Sequence, residues 1–319
     1  MAARTPRARD AAACARGAPG LQHCHAPDDT GTPGWRADHA LPPCAVRITA
    51  PHDPEARGAT KRATSWLGDT VHLTATGDAD LPHLLTAVQT TAATAADSSV
   101  IAAVHADLAA AALLPQEHLV DAGSLDADNL VARRQDHGVD LVGPPLADTH
   151  WQARTAGAFD IACCTIEWAA RRVTCPQGHA SGKWSETQDP YGTPIITMRF
   201  APAACRPCPS RAQGTRSAQD ARRLTLRPQA PHLALRAARA RQATPAFATQ
   251  YAARAGIAGT ISQGVNALAL RDARAIGRAK THLQQLLTGA ALHVGRLAAW
   301  FAERPRAATR PSRLACLAA

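Results

Sequence analysis

The run "HLVDAGSLDADNLVARRQDHGVDLVG", His118 to Gly143, narrows the choice of fold more than any other part of the chain. "HLVD" reads as a short buried strand. Gly123 breaks it, Ser124 stands where a helix cap is needed, and the helix is predicted to run to His137, where Gly138 ends it. "VDLVG" is a second strand. Strand, helix and strand in this order imply a parallel pair joined by a right-handed crossover, the unit of α/β folds. Asp121 then falls at the carboxyl end of its strand, where open α/β sheets place their chemistry. A turn or helix-capping aspartate would look the same in sequence.

On the amino-terminal side, "VHLTATG" (Val71 to Gly77) alternates like a strand, and "HLLTAVQTT" can pair with it across the turn-like "DADLP". Asp97-Ser98 is a plausible cap for a helix whose face carries Val100, Val104, Leu108 and Ala111, stopped by Pro115. Residues 145–230 read as an insertion, with strand candidates at Ile161 to Trp168 and Ile195 to Phe200, many prolines and five of the nine cysteines. After Pro231 the pattern turns helical. The last helix is predicted over Ala279 to Glu303, with Leu283, Leu286, Leu287, Ala290, Val294, Leu297 and Phe301 as its buried stripe. The expected division is a disordered segment 1–43, a first part of the core 44–144, the cysteine-rich insertion 145–230, carboxy-terminal helices 231–303 and a tail 304–319. "HCH" at His23 to His25 lies in the segment expected to be disordered, a poor place for a metal site.

Charge is uneven. The net charge is +10, and from Arg206 to Lys280 fourteen Lys or Arg face two acids, Asp220 and Asp272. Such a stretch suits a polyanion, most often nucleic acid, through Arg236, Arg239, Arg241, Arg254, Arg271, Arg274, Arg278 and Lys280; a solvated surface in an arginine-rich protein is the other reading. Few aromatics are interleaved, so base stacking is expected to be minor. The longest apolar run, Leu283 to Phe301, is broken by His293 and Arg296, so no membrane span is expected, and the arginine-bearing start lacks the apolar core of a signal peptide. The expected location is the cytoplasm, at the nucleoid. Cysteines in that compartment point to metal binding or idle thiols before disulfides.

Phosphate-loop and His-Glu-x-x-His motifs are absent. Asp121 could join acids from other elements around two Mg²⁺ ions, which need oxygen ligands. "CPQGH" offers Cys175 and His179, and "CRPC" offers Cys205 and Cys208; the two halves together could hold Zn²⁺, or be free thiols of a decayed site. Cys163 and Cys164 are read as packing residues.

Taken together, "APHDPEARGATKRATSWLGDTVHL" (Ala50 to Leu73), "EHLVDAGSLDADNLVARRQDHGVDLVGP" (Glu117 to Pro144), "CRPCPSR" (Cys205 to Arg211), "YAARAGIAGTISQGV" (Tyr251 to Val265) and "GRAKTHLQQLLTGAAL" (Gly277 to Leu292) resemble the insertion-sequence transposases of the DDE superfamily. The likeness covers roughly residues 31–319 and implies an RNase H-like mixed sheet flanked by helices, here incomplete at the amino terminus and carrying a cysteine-rich insertion. It also implies Mg²⁺-dependent DNA cleavage and transfer by two Asp and one Glu. Asp121 matches the second Asp. Tyr251 and Arg254 match the Tyr, Arg, Glu series, but the Glu position is Ala258. The first Asp belongs to a part of the family's sequence not found in this chain. Where the family's insertion carries a fourth cysteine, this chain has Gly214, for which His179 could stand in. Asp272 is fourteen residues beyond Ala258, about 21 Å along an unbroken helix, too far to replace the lost acid unless the helix breaks, for which Gly259 and Gly264 give an opening. The reading is a truncated, catalytically inactive DDE transposase that binds double-stranded DNA at element ends. The alternative is a non-catalytic DNA-binding protein, or a regulator acting on a full-length relative or as a homo-oligomer.

Overall fold

The computed structural model describes residues 24–27, 31–37, 40–50, 52–61, 63–78, 80–217 and 219–305. In chain order its main elements are β1 (His25–Pro27), β2 (Pro33–Trp35), β3 (Arg57–Lys61), β4 (Thr64–Ala75), β5 (Leu85–Ala92), α1 (Ile101–Ala110), β6 (Glu117–Leu119), α2 (Ala127–His137), β7 (Asp140–Val142), β8 (Thr165–Glu167), β9 (Arg172–Thr174), β10 (Ser181–Gln188), β11 (Pro194–Phe200), β12 (Arg223–Leu226), α3 (Gln229–Gln242), α4 (Pro245–Ala252), α5 (Ala255–Leu268) and α6 (Arg278–Phe301). The protein is a mixed α/β chain. Among the described residues its strands form several small sheets rather than one mixed sheet. The hairpin β1–β2 falls inside the segment expected to be disordered, where His25 stacks edge-on to Trp35 at 5.0 Å. His23 and the tail from 306 lie outside the described residues.

The chain divides into two compact units, one comprising residues up to Leu114 together with those from Ala252, the other Pro115–Tyr251. The strand–helix–strand run groups with the cysteine-bearing region, and the hairpin before it belongs to the other unit. Packing accounts for this. Helix α2 lies against α3, Arg241 makes a two-pronged ion pair with Asp140 at 2.9 and 3.1 Å, and Gln250 donates to Glu117 at 2.8 Å.

In the first unit, β3, β4 and β5 form an antiparallel meander, and the expected pairing of the two alternating strands is present, with Val71 opposite Thr90 and Leu73 opposite Val88. Successive residues of a strand face opposite sides. Ala87 joins Val100, Val104 and Leu108 in a small core with α1, and Gln89 hydrogen-bonds Asp107 on that helix. Val88 and Thr90, on the other face, meet α6.

Helix α6 is mounted the opposite way from the sequence expectation. Its buried positions are Thr281, Gln285, Thr288, Gly289 and Leu292. The stripe predicted to be buried is open: Leu283 is 57%, Leu287 63%, Val294 69% and Phe301 80% exposed. The reason is hydrogen bonding. Thr90 donates to Gln285 and also contacts His282 Nδ1 at 2.9 Å, and the backbone N–H of Leu85 donates to His293 Nε2 at 2.7 Å. Arg296 donates to the His83 carbonyl and, at 2.7 Å, to Thr260. Buried donors and acceptors must find partners, and here β5 presents them, so the polar side of the helix turns inward.

The second unit holds the parallel pair expected from the sequence, with His118 opposite Leu141. The helix between them is capped by Asp126, which accepts from the Asn129 N–H at 2.7 Å, and not by Ser124. Gly138 closes it in the left-handed region at φ 68°, a conformation that glycine adopts without strain. Strands β10, β11 and β12 form an antiparallel sheet. The period-two positions Ile196, Met198 and Phe200 of β11, with Leu224 and Leu226 of β12 and with Val173, make its core. Cys164 is buried in that core, whereas Cys163 is exposed in a turn, so only one of the two packs as predicted.

Candidate functional site

The acid positions come first. Asp121 sits two residues beyond β6, and its Oδ1 accepts from both the backbone N–H of Ser124 at 2.9 Å and the Ser124 hydroxyl at 2.7 Å. That is the local turn chemistry of aspartate. Tyr251 lies in α4, its ring stacked on Phe247 at 5.3 Å. The chain turns after it, and half-buried Arg254 is the N-cap residue of α5. Ala258 lies in the first turns of α5 on its exposed side, opposite buried Thr260 and Gly264. Asp121 and Ala258 belong to different compact units. The unbroken helix assumed between Ala258 and Asp272 does not form: α5 ends at Leu268, Ala269 takes a left-handed φ of 51°, and Asp272 follows in an exposed turn where its carbonyl accepts from Gln284 at 2.8 Å.

The expected zinc ligands do not assemble. Cys175 and His179 flank a tight turn in which the Cys175 N–H donates to the His179 carbonyl at 2.9 Å, and the His179 side chain is exposed. Cys205 and Cys208 are joined by a similar backbone turn at 3.4 Å. Cys175 and Cys205 pack against the apolar core. At Gly214 a side chain would come within 3.3 Å of Arg222 Cδ and 3.5 Å of its Nη1. Arg222 is 5% exposed and donates to the carbonyls of Phe159 and Asp160. A guanidinium thus stands beside the position where the fourth thiol was expected. Among the described residues no group of three or more His, Cys, Asp or Glu is arranged to hold a metal ion. Taken singly, Asp121 spends its Oδ1 on Ser124, Ala258 offers no oxygen ligand, and the Cys175–His179 and Cys205–Cys208 pairs form no tetrahedral zinc set among the described residues.

The basic residues divide into two groups. Arg241 pairs with Asp140, Arg239 contacts the Leu146 carbonyl at 3.3 Å and Asp148 at 4.0 Å, and Arg278 pairs with Asp69 at 3.0 Å. Arg236 in the second unit, and Arg271, Arg274 and Lys280 in the first, have exposed side chains. Around α3 the local field is positive: the His232 imidazole is pushed below its ordinary value by burial first and then by the charges of Arg236 and Arg239. Sequence reasoning missed Asp53 and Glu55. They accept from the Gly277 and Arg278 N–H groups at 3.1 and 2.9 Å, satisfying the amino terminus of α6 and complementing its dipole. Only their place in "HDPEARG", far from α6 in sequence, could have pointed to them.

Fold and site together define a basic mixed α/β protein in which Asp121 is held in a turn and position 258 is an alanine. Residues 174–298 match the family described as Transposase DDE domain, so this part of the chain is similar to the DDE-superfamily transposases. The match begins after Asp121 and includes Tyr251, Arg254, Ala258 and the basic stretch through Lys280. No curated protein and no solved structure matches the chain. Transposases of this superfamily act on DNA and generally use a divalent metal such as Mg²⁺. Among the described residues no helix is long and apolar enough to cross a membrane.

Proposed function

We propose that this protein is a transposase-family DNA-binding protein that does not cleave or join DNA by itself. The observation that carries the reading is Ala258: the segment matching a transposase DDE domain holds a methyl group where the resemblance calls for the metal-binding Glu. Two-metal catalysis needs oxygen ligands that bridge and orient the ions, and an alanine supplies none. Asp121, the remaining matched acid, is held by Ser124 in a turn. DNA binding needs neither residue. It needs positive charge that is not spent on internal acids, which Arg236, Arg271, Arg274 and Lys280 supply. The protein would then work in the cytoplasm, at the nucleoid, as a non-catalytic partner or brake for an active relative.

Titrating the purified chain onto fluorescent duplex DNA at increasing salt tests the binding. Phosphate contacts by Arg271, Arg274 and Lys280 of the first unit give a log–log slope of roughly −3, and neutralising Arg271 or Arg274 by glutamine lowers that slope by about 1. Affinity indifferent to salt sinks the binding half of the proposal. Mg²⁺-dependent nicking of duplex DNA by the same preparation sinks the other half.

A further inference from the structure

Two cysteines that the zinc reading kept apart face each other at the base of the β8–β9 hairpin. The register sets Thr165 opposite Thr174, Ile166 opposite Val173 and Glu167 opposite Arg172, so the next pair outwards is Cys164 and Cys175. Antiparallel pairs alternate between hydrogen-bonded and non-hydrogen-bonded. The Val173 N–H leaves the hairpin for the Ser181 hydroxyl at 3.0 Å, which puts Ile166 and Val173 in the second kind. Cys164 and Cys175, two positions on, share that phase. The Cys164 N–H donates to the Ile161 carbonyl at 3.1 Å and the Cys175 N–H to the His179 carbonyl at 2.9 Å, so neither is spent on the other strand. In such pairs the Cα atoms are about 4.5 Å apart and the side chains close, inside the span of about 4.4–6.8 Å that a disulfide bridges. Both side chains stand on the core face with Ile166 and Val173: Cys164 is buried there, and Cys175, partly open, packs against the same core. Burial pushes the Cys164 thiol up, the Arg222 charge opposes that rise, and the nearby Cys175 thiol adds to it. Both cysteines are free thiols.

We infer that Cys164 and Cys175 are a redox modification site, joined by hydrogen peroxide into a disulfide across the base of the β8–β9 hairpin. Cys175, the more open thiol, meets the oxidant first. Its sulfur attacks one peroxide oxygen, the O–O bond breaks, and the departing oxygen leaves as water with the thiol proton; a sulfenic acid remains. The Cys164 sulfur then attacks that sulfur. The S–S bond forms, the S–O bond breaks, and a second water carries off the hydroxyl with the Cys164 proton. Two thiols and one peroxide thus become one disulfide and two waters. The Cys164 thiol gives up only its weak bond to the Asp160 carbonyl, 3.7 Å away. A reducing compartment returns such a bond to thiols, so it marks exposure to oxidant and is not a permanent staple. Its effect is on the hairpin. The turn carries Trp168 and Arg171, which with Trp184 and Glu186 edge an open cavity, and Arg171 pairs with Glu186 at 3.6 Å. Cross-linking the base fastens that wall, and the closed loop of ten intervening residues constrains the unfolded chain. The site needs no DNA, so its test stands apart from the DNA titration.

Peroxide treatment of the folded full-length chain, followed by unfolding in urea, blocking of the remaining thiols with iodoacetamide and mass mapping of tryptic peptides, tests the site. The expected product joins the Cys164 peptide, residues 155–171, to the Cys175 peptide, residues 173–183, with the loss of two hydrogens, and dithiothreitol separates them. Fragmentation between Cys163 and Cys164 assigns the sulfur. Cys163→Ser should leave the link intact, and Cys175→Ser, at a partly open position, should abolish it. The oxidised chain should melt about 5–10 °C above the reduced chain, a shift absent from Cys175→Ser. A link from Cys175 to Cys163, Cys205 or Cys208 overturns the pairing. Cys164 and Cys175 both alkylated after exposed Cys163 has been oxidised overturns the site, as does a link that forms only when peroxide is added in urea. An oxidised chain that melts no higher overturns the fastening of the hairpin.

Discussion

The sheet of β10, β11 and β12 and the contact between β5 and α6 bury side chains by opposite means. In the first, Val173, Met198 and Phe200 are at most 2% exposed, and the interior is apolar. In the second, Thr281, Gln285 and Thr288 are buried and Leu283 and Leu287 are not. The apolar core draws its stability from area removed from water, which tolerates sliding and repacking. The polar contact is held by a fixed set of hydrogen bonds, each modest when made and expensive when one partner is lost. The two regions should therefore fail differently.

Truncating the apolar core has the largest expected effect. Phe200→Ala should lower unfolding free energy by about 3–5 kcal/mol, read by urea denaturation; a loss no greater than that of an exposed substitution would mean that the sheet is not a true core. Acid should act next on the same unit. Burial pushes the His118 imidazole down from 6.5 to about 4. Its neutral form is favoured in the folded chain, so the unfolded chain takes up the extra proton, and stability present above pH 6.5 is lost as pH falls towards 4. His118→Gln should flatten this slope in melting temperatures recorded between those values. In the polar contact, Arg296→Met keeps most of the volume but leaves the His83 carbonyl without its donor, at a cost of about 1.5–3 kcal/mol. A smaller loss would show that area, not hydrogen bonding, secures α6. Asp53→Ala and Glu55→Ala remove the acceptors at the head of the helix, with an expected cost of about 0.5–1 kcal/mol each, measured by thermal melts and diminished in high salt. Leu287→Glu should change stability by less than about 0.5 kcal/mol; a large loss there would place Leu287 in a core and undo the contrast.

Local signals were the most legible. The strand–helix–strand run, the Gly138 helix end and the β4–β5 pairing all rest on interactions between near neighbours, and the structure has them. The transposase resemblance also rested on short ordered motifs, and the family match covers the later ones. What failed was the inference from periodicity to burial in α6. A period shows that one face is apolar; it cannot show which face the partner wants. That was decided by Thr90 and the Leu85 N–H, whose need for partners is invisible in the helix's own sequence. The zinc halves failed for a related reason. Spacing along the chain does not fix where side chains go: Cys175 and Cys205 pack against the apolar core, and the His179 side chain is exposed.

The packing of Arg222 against Gly214 also governs which residues position 214 can accept. A single change of Gly214 to cysteine would meet the arginine side chain at 3.3 Å before any thiol could reach a metal. Removing Arg222 first would strand the carbonyls of Phe159 and Asp160. Positions 214 and 222 are thus interlocked: the arginine acts as a latch, and a larger residue at 214 asks for a compensating change at 222.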